Sequence, residues 1–171
     1  RSYKDLPIRY MESDKQYRAE LPGAVGNSLS RVYAITVEDG HSFCTRDQVK
    51  QEVINMCNLI QDFYSRMGLW NDVWVSLSVR DTNHPEKYIG EQEDWDICEE
   101  MLQEVSDELN LHAKRCEGEA ALYGPKLDFM FKDALGRDIQ IPTVQLDFAM
   151  PKRFGLFYID EKGEKQTPVM V

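Results

Sequence analysis

Short runs of alternating apolar and polar residues recur along the second half of this 171-residue chain. They read LDFMFKD, RDIQIPTVQLDF, FGLFYID and QTPVMV, and Gly and polar turns separate them. Because side chains in a strand alternate between two faces, such runs are typical of antiparallel strands. Residues 72–80 (DVWVSLSVR) have the same period and predict another strand. Residues 15–44 predict a long hairpin, whose loop contains Pro22, Gly23, Gly26 and Asn27.

Two helices are predicted between these strands. Thr45 and Gln48 have the spacing of a capping box, and Gly68 is a suitable helix end. Between them, apolar residues recur every three to four positions, as in a helix with one buried face. Residues 91–109 predict a second helix, with one apolar side and an acidic, solvated remainder. We therefore expect one α+β domain over residues 1–171, in which helices flank a largely antiparallel sheet of about six strands or more.

Composition excludes several classes of protein. No apolar run approaches the roughly 18 to 20 residues needed to span a bilayer. The net charge of −10 argues against a main nucleic-acid docking surface, which is usually strongly basic. Four scattered cysteines without a CxxC pair suit reduced thiols in a cytosolic or organellar compartment, so we expect no disulfides; of these compartments we favour the cytoplasm. The chain starts without Met and ends on the apolar run TPVMV, so we expect both ends to be internal to a longer protein.

The predicted hairpin carries an unusual amount of charge on one face. On its second strand, parity places Arg31 together with Asp39 and His41, and on its first strand Arg18 together with Glu20. Buried charges must be paired or bound to a ligand, so this face is either solvated, with its arginines paired to its acids, or a pocket for an anionic ligand. His41 and Cys44 are three residues apart on a strand and point to opposite faces, which argues against a shared zinc site.

The spacing of these charges resembles a known signature. Arg18-x-Glu20, a loop of about ten residues, and Arg31-x3-Ile35-x3-Asp39 are similar to the second motif of the class II aminoacyl-tRNA synthetases. RVYAITVEDGHSFC and EGEAALYGPKLDFMFKDALGRDIQIPTVQLDF resemble the corresponding parts of the threonyl-tRNA synthetase family. LSVRDTNHPEKYIG and DWDICEEML, which lie between them, are also similar. The resemblance therefore covers nearly the whole chain.

This resemblance implies a class II catalytic core that activates threonine with ATP and Mg²⁺ and then acylates tRNA(Thr). Arg18 and Arg31 would be the catalytic arginines, on the α- and γ-phosphates. The other implied ATP-binding residues are Glu20, Ile35, Lys126 and Gln140. The implied threonine-binding residues are Asp39, Tyr123 and Gln145, and His41 would be a zinc ligand. Tyr123 also has a simpler interpretation, as an aromatic residue in a Tyr-Gly-Pro turn.

The match to the family is incomplete. Ile35 replaces the phenylalanine that stacks on adenine, Val37 replaces a polar residue, and Tyr33 replaces a frequent arginine. Pro142 interrupts the strand between Gln140 and Gln145. The family's first motif, which forms its homodimer, and its third motif are expected outside residues 1–171. The same holds for two of its three zinc ligands.

Three expectations follow from the incomplete match. This chain alone should hold no zinc, or only an adventitious ion, and should be nearly inactive in threonine-dependent ATP–pyrophosphate exchange. An exposed sheet edge should favour self-association. The alternative hypothesis is a degenerate relative that only binds an amino acid, a nucleotide or a partner protein. Activation of proline or serine fits His41 less well.

Overall fold

The computed structural model describes residues 1–21, 23, 25 and 31–171. Pro22, Gly26 and Asn27, which belong to the predicted hairpin loop, lie outside the described residues. The strands are β1 (Ile8–Tyr17), β2 (Ala34–Cys44), β3 (Trp74–Val79), β4 (Lys114–Glu117), β5 (Lys126–Lys132), β6 (Asp138–Gln145), β7 (Tyr158–Ile159), β8 (Lys165–Gln166) and β9 (Val169–Met170). The α-helices are α1 (Val49–Arg66), α2 (Gln92–Glu108) and α3 (Met150–Arg153).

A short final strand joins two sheets into one. The strand orders are β1-β2-β9 and β4-β3-β5-β6, and β7 and β8 form a separate ribbon. Met170 of β9 exchanges two backbone hydrogen bonds, of 2.8 and 2.9 Å, with Asp147 just beyond β6. The strands therefore follow one another as β1-β2-β9-β6-β5-β3-β4. All of these pairs are antiparallel except β3 with β4, so the predicted α+β class with a largely antiparallel sheet is confirmed.

The first long helix forms where its sequence signals predict. The backbone N–H of Thr45 donates to Gln48 Oε1 at 3.0 Å, which is one half of the capping box. A turn of 3-10 helix at Arg46–Gln48 leads into α1, which ends just before Gly68. Gly68 has φ +72°, a conformation that costs glycine least.

Both long helices contribute to one apolar core with the sheet. The buried residues of α1 and α2 include Val53, Cys57, Leu102 and Val105. The buried sheet residues are Val75, Leu77, Val79, Leu127, Phe129, Phe131, Val144 and Leu146. These positions have a single parity on each of β3, β5 and β6, so one face of the sheet is apolar and the other is left for polar residues.

The hairpin differs from its predicted bounds. β1 begins at Ile8, well before residue 15, and its ten residues pair with β2 from Ile8↔Phe43 to Tyr17↔Ala34. Every residue of β1 after Ile8 is exposed, so it lacks the apolar alternation by which a strand is recognised. Arg18 and Glu20 follow β1 rather than lying within it, and Arg31 precedes the start of β2 at Ala34.

Some elements in the second half of the chain are shorter than predicted, and others were not predicted at all. The run FGLFYID supplies only the two-residue strand β7, and α3 and β4 were not predicted. β1 and β4 are the outermost strands of the sheet, which leaves two open edges among the described residues. In the same part of the chain, none of the helices has both the length and the apolar character required to cross a bilayer.

Candidate functional site

The candidate site is the polar face of the sheet, which is opposite to the apolar face that forms the core. On β6 and its extension, Val144 and Leu146 are buried in the core, so Gln145 and Asp147 point to the other side. On β2, Ser42 faces the helices, since its hydroxyl bonds to Glu52 of α1. The odd-numbered residues of β2 therefore line the same polar face as Gln145. Odd-numbered side chains of β2 and β6, two strands that are far apart in sequence, therefore line one surface.

All three predicted threonine-binding residues and the predicted zinc ligand lie at this face. The Tyr123 hydroxyl donates to Gln145 Oε1 at 3.3 Å. Burial, together with the charges of Asp147 and Asp39, raises the pKa of Tyr123. Burial raises the pKa of Asp147, and hydrogen bonds from the backbone N–H groups of Met150 and Ala149, with a smaller contribution from the charge of His41, offset part of that rise. Tyr123 thus contacts Gln145, and the charges of Asp39 and His41 act across the same polar face on Tyr123 and Asp147 respectively.

The Asp39 carboxylate is half-buried and already holds one partner. Gln16 Nε2, on the neighbouring strand, donates to Asp39 Oδ2 at 2.8 Å. The adjacent Glu38 points to the other face of β2, where it accepts a 2.6 Å hydrogen bond from Ser13 Oγ. Two neighbouring acids thus have different environments, and only Asp39 faces Tyr123.

The described residues do not form a zinc site around His41. No group of three or more His, Cys, Asp or Glu residues within ranges 1–21 and 31–171 is arranged to hold a metal ion. Cys44 is fully buried on the opposite face of β2, and burial raises the pKa of its thiol to about 12. Its Sγ donates to the backbone oxygen of Val169 at 3.6 Å. The prediction that Cys44 is not a partner of His41 agrees with this geometry.

The predicted phosphate-binding residues lie beyond the strand ends at the far end of the hairpin. Arg31 NH1 donates to Glu20 Oε2 at 3.1 Å, and the Arg31 side chain is 64% exposed while that of Glu20 is 15% exposed. Arg18 is exposed, and its backbone N–H donates to Tyr33 O at 2.9 Å, which extends the ladder past β1. The pairing of Arg31 with Glu20 is the type of contact expected both of a solvated surface and of an empty anion site.

Ile35 and Val37 share the face of Asp39, as their parity predicts. Ile35 is 43% exposed and Val37 is half-buried. An exposed aliphatic side chain next to charged residues offers an apolar surface to a ligand but no aromatic face for stacking.

The two remaining predicted residues, Lys126 and Gln140, meet at a carboxylate that sequence reasoning missed. Lys126 Nζ lies 2.7 Å from Asp128 Oδ2, and Gln140 Nε2 donates to Asp128 Oδ1 at 2.8 Å. Gln140 Nε2 also donates to Thr143 Oγ1 at 2.8 Å. Both donor contacts of the Gln140 amide are therefore within the sheet.

Parity is the signal that could have found the missed acids. Asp128 is two residues from Lys126 on β5, and Asp147 is two residues from Gln145, so each shares a face with a predicted site residue. Both acids follow an apolar residue in an alternating run, which marks the face opposite to the core. Ser76 and Ser78 occupy the same face of β3.

Comparison with known proteins gives a consistent family assignment. The model of the family "tRNA synthetase class II core domain (G, H, P, S and T)" matches residues 1–171. A threonine–tRNA ligase from Cytophaga hutchinsonii is 45% identical over all 171 residues, and one from Dichelobacter nodosus is 46% identical over the same length. The chain spans 26% of the length of each of these curated relatives.

Solved structures have the same fold. The RNA binding domain of a threonyl-tRNA synthetase from Cryptosporidium parvum Iowa II superposes with a TM-score of 0.88 at 34% identity, over 99% of this chain and 41% of that one. A putative threonyl-tRNA synthetase from Aeropyrum pernix gives 0.77 at 26% identity, over 96% of this chain and 38% of that one. A prolyl-tRNA synthetase from C. parvum gives 0.58 at 19% identity, which indicates the shared fold alone.

Proposed function

The chain belongs to the tRNA synthetase class II core domain family (G, H, P, S and T), and from that membership we propose that it is part of a threonine–tRNA ligase. In this proposal the polar sheet face binds threonine and ATP, the latter with Mg²⁺, and the whole ligase transfers the threonyl group to tRNA(Thr). All four cysteines are free thiols, which is consistent with a protein located in a reducing compartment such as the cytoplasm. A homodimer, as the resemblance implies, remains a prediction.

The convergence of Asp39, Tyr123 and Gln145 is the observation that carries this proposal. A half-buried carboxylate binds an ammonium group well, because ion pairs are stronger away from bulk water. The Tyr123 hydroxyl and the Gln145 amide, 3.3 Å apart, supply the polar contacts that orient a small amino acid. We assign Asp39 to the threonine ammonium, and Tyr123 with Gln145 to the rest of that substrate.

The phosphates of ATP are assigned to the charged end of the hairpin. Activation is an attack of the threonine carboxylate on the α-phosphorus, which releases pyrophosphate, so the protein must neutralise charge and align the reactants. Arginine suits this task because its planar fork can bind two phosphate oxygens. Arg18 is assigned to the α-phosphate and Arg31 to the γ-phosphate, with Glu20 orienting Arg31 through their 3.1 Å hydrogen bond. Ile35 would contact the adenine.

Zinc has no role in the proposed chemistry of this chain, because the described residues do not form a site with three zinc ligands. His41 is proposed as one ligand within the whole ligase. A metal that must be ligated by the substrate hydroxyl would reject valine better than an apolar pocket does.

Binding of a stable threonyl-adenylate analogue, in which a sulfamate replaces the phosphate, tests the proposal. The titration is followed by amide NMR shifts, with the seryl and prolyl analogues as competitors. Asp39→Asn should weaken binding by roughly tenfold or more, because a hydrogen bond to a charged group is lost. Glu38→Gln is the matched control on the opposite face of the same strand and should leave binding unchanged. Preference for the prolyl or seryl analogue, or equal effects of the two variants, would contradict the assignment.

The exposed Ile35 favours a second candidate function, a module that binds an amino acid or nucleotide without activating it. An aliphatic residue at this position gives apolar contact without aromatic stacking on adenine. Exchange of pyrophosphate into ATP by the longest protein that contains this chain, assayed with threonine, serine and valine, separates the two functions. Threonine-dependent exchange supports the ligase, and analogue binding without any exchange supports the binding module.

A further inference from the structure

Asp128 is a buried carboxylate on the polar face of the sheet, and it is surrounded by donors. Its side chain is 5% exposed. Oδ2 accepts from Ser78 Oγ at 2.7 Å and lies 2.7 Å from Lys126 Nζ. Oδ1 accepts from Gln140 Nε2 at 2.8 Å and from Thr143 Oγ1 at 2.9 Å. Four donors on two oxygens satisfy a carboxylate almost completely, and burying such a charge is tolerable only with partners of this kind.

These donors come from three neighbouring strands, so the carboxylate connects them on the polar face. Ser78 lies on β3, Lys126 on β5, and Gln140 and Thr143 on β6. Because the backbone fixes these positions relative to one another, Asp128 is immobilised. A side chain that is hydrogen-bonded or ion-paired to Asp128 is therefore restrained as well.

Among the donors to Asp128, Lys126 is the one that keeps unused N–H groups. An ammonium group has three donors, and the contact with Asp128 is the only one recorded for Lys126 Nζ within the described part of the chain. Its side chain is only 17% exposed, so the two other donors have little access to bulk water. In the sheet register Lys126 is directly opposite Gln145, which contacts Tyr123. A partly buried ammonium that is held by a carboxylate at the border of the proposed substrate pocket is suited to an anion.

We propose that Asp128 is a positioning residue, which holds the Lys126 ammonium on the polar sheet face for an anionic group of the bound ligand. Lysine carries a flexible four-carbon stem, and a free ammonium would have to be ordered each time a ligand binds. The 2.7 Å contact with a fixed carboxylate removes most of that freedom in advance. The identity of the ligand, a threonyl-adenylate, rests on the proposed function, but the positioning of Lys126 does not.

The same two strands provide a matched control for the test. Lys132 on β5 and Asp138 on β6 form an ion pair of 2.6 Å, but their side chains are 42% and 40% exposed and lie at the far end of the strands from Gln145. Asp128→Asn and Asp138→Asn therefore remove the same charge from two lysine–aspartate pairs, of which one faces the proposed pocket.

The first measurement is the rate at which acetic anhydride acetylates each lysine in the 171-residue chain, read by mass spectrometry of peptides. In the unaltered chain Lys126 should react more slowly than Lys132. Asp128→Asn should raise the Lys126 rate roughly tenfold, since a hydrogen bond to a charged group is lost. Asp138→Asn should leave the Lys126 rate unchanged. An unchanged Lys126 rate in Asp128→Asn would overturn the positioning role.

The second measurement is the affinity for the threonyl-adenylate analogue in a double-mutant cycle with Lys126→Met. Asp128→Asn should weaken binding roughly tenfold in the unaltered chain and should have almost no further effect when Lys126 is already Met. Equal losses in both backgrounds would show that Asp128 only supports the sheet, and would overturn the proposal. If Asp128→Asn does not fold, Ser78→Ala takes its place, because it removes one donor to Asp128 Oδ2. The double-mutant cycle with Lys126→Met is then measured with Ser78→Ala, and a smaller loss of affinity is expected.

Failure of this inference can be distinguished from failure of the proposed function. If the unaltered chain does not bind the analogue, the proposed function loses its support, while the acetylation rates still decide whether Asp128 positions Lys126. If the analogue binds and the cycle shows no coupling between the two residues, only the positioning role is lost.

Discussion

The Ser42 hydroxyl donates a 2.6 Å hydrogen bond to Glu52 Oε2, across the boundary between β2 and α1. Ser42 is adjacent to His41, and the two point to opposite faces of the strand. Glu52 also accepts two hydrogen bonds from Arg9 on β1, of 2.6 and 2.7 Å. A single buried carboxylate on the helix thus fixes both strands of the hairpin from behind the candidate site.

Loss of Arg9 should destabilise the chain more than loss of an exposed arginine. Glu52 is 3% exposed, so Arg9→Met would leave a buried carboxylate without its cation. We expect the free energy of unfolding to fall by about 2 kcal/mol. Arg66→Met is the control, because its pair with Asp62 is exposed and worth less than about 1 kcal/mol. Chemical denaturation measures both; equal losses would show that the Arg9 contact is no more than a surface pair.

The stability of the chain should depend on pH through Glu52. Hydrogen bonding from Arg9 is the largest cause that holds the pKa of Glu52 below its ordinary value. The unfolded chain therefore binds this proton more readily, and the stabilisation is fully present above the unfolded pKa of about 4.3. It is lost as the pH falls through the lower, folded pKa. Glu52→Gln should be less stable than the unaltered chain at pH 7, and this gap should narrow below about pH 4. A gap independent of pH in urea melts would contradict this.

Gly124 should not tolerate a side chain. A Cβ placed there would collide with the backbone oxygen of Leu146, and neither backbone can yield easily. Gly124→Ala should lower the free energy of unfolding by about 3 kcal/mol and displace Tyr123 from Gln145. Gly40→Ala is the control, since its nearest contact would be 3.9 Å from Tyr10 O. Thermal melts of the two variants test this, and a neutral Gly124→Ala would mean that the turn rearranges without cost.

Zinc should not be retained by this chain. His41 is exposed, and the described residues supply no set of three ligands. After loading and dialysis, zinc measured by atomic emission should be well below one equivalent and equal in the unaltered chain and in His41→Ala. His84→Ala, at an exposed histidine paired with Glu86, is the control. One equivalent of zinc that disappears only in His41→Ala would refute this prediction.

Much of the fold was predictable because its signals are local. The capping box at Thr45 and the left-handed Gly68 define α1 within a few residues. Strand period alone assigned Asp39 and His41 to one face, since parity on a strand needs no knowledge of the partner strand. β1 was missed in part because an edge strand exposed on nearly all positions has no buried face to create a pattern.

The sequence by itself determined the strand and helix types, the parity of the charged hairpin and the resemblance to the synthetase family. Only the tertiary structure decided that β9 lies between β2 and the end of β6, which places Asp39 on the same polar face of the sheet as Gln145. It also decided that the Asp128 carboxylate contacts donor side chains on three strands, β3, β5 and β6. The reason is physical: period and capping depend on neighbours a few residues away. Pairing between distant strands depends on backbone hydrogen bonds that every residue except proline can make, so the sequence leaves little trace of it.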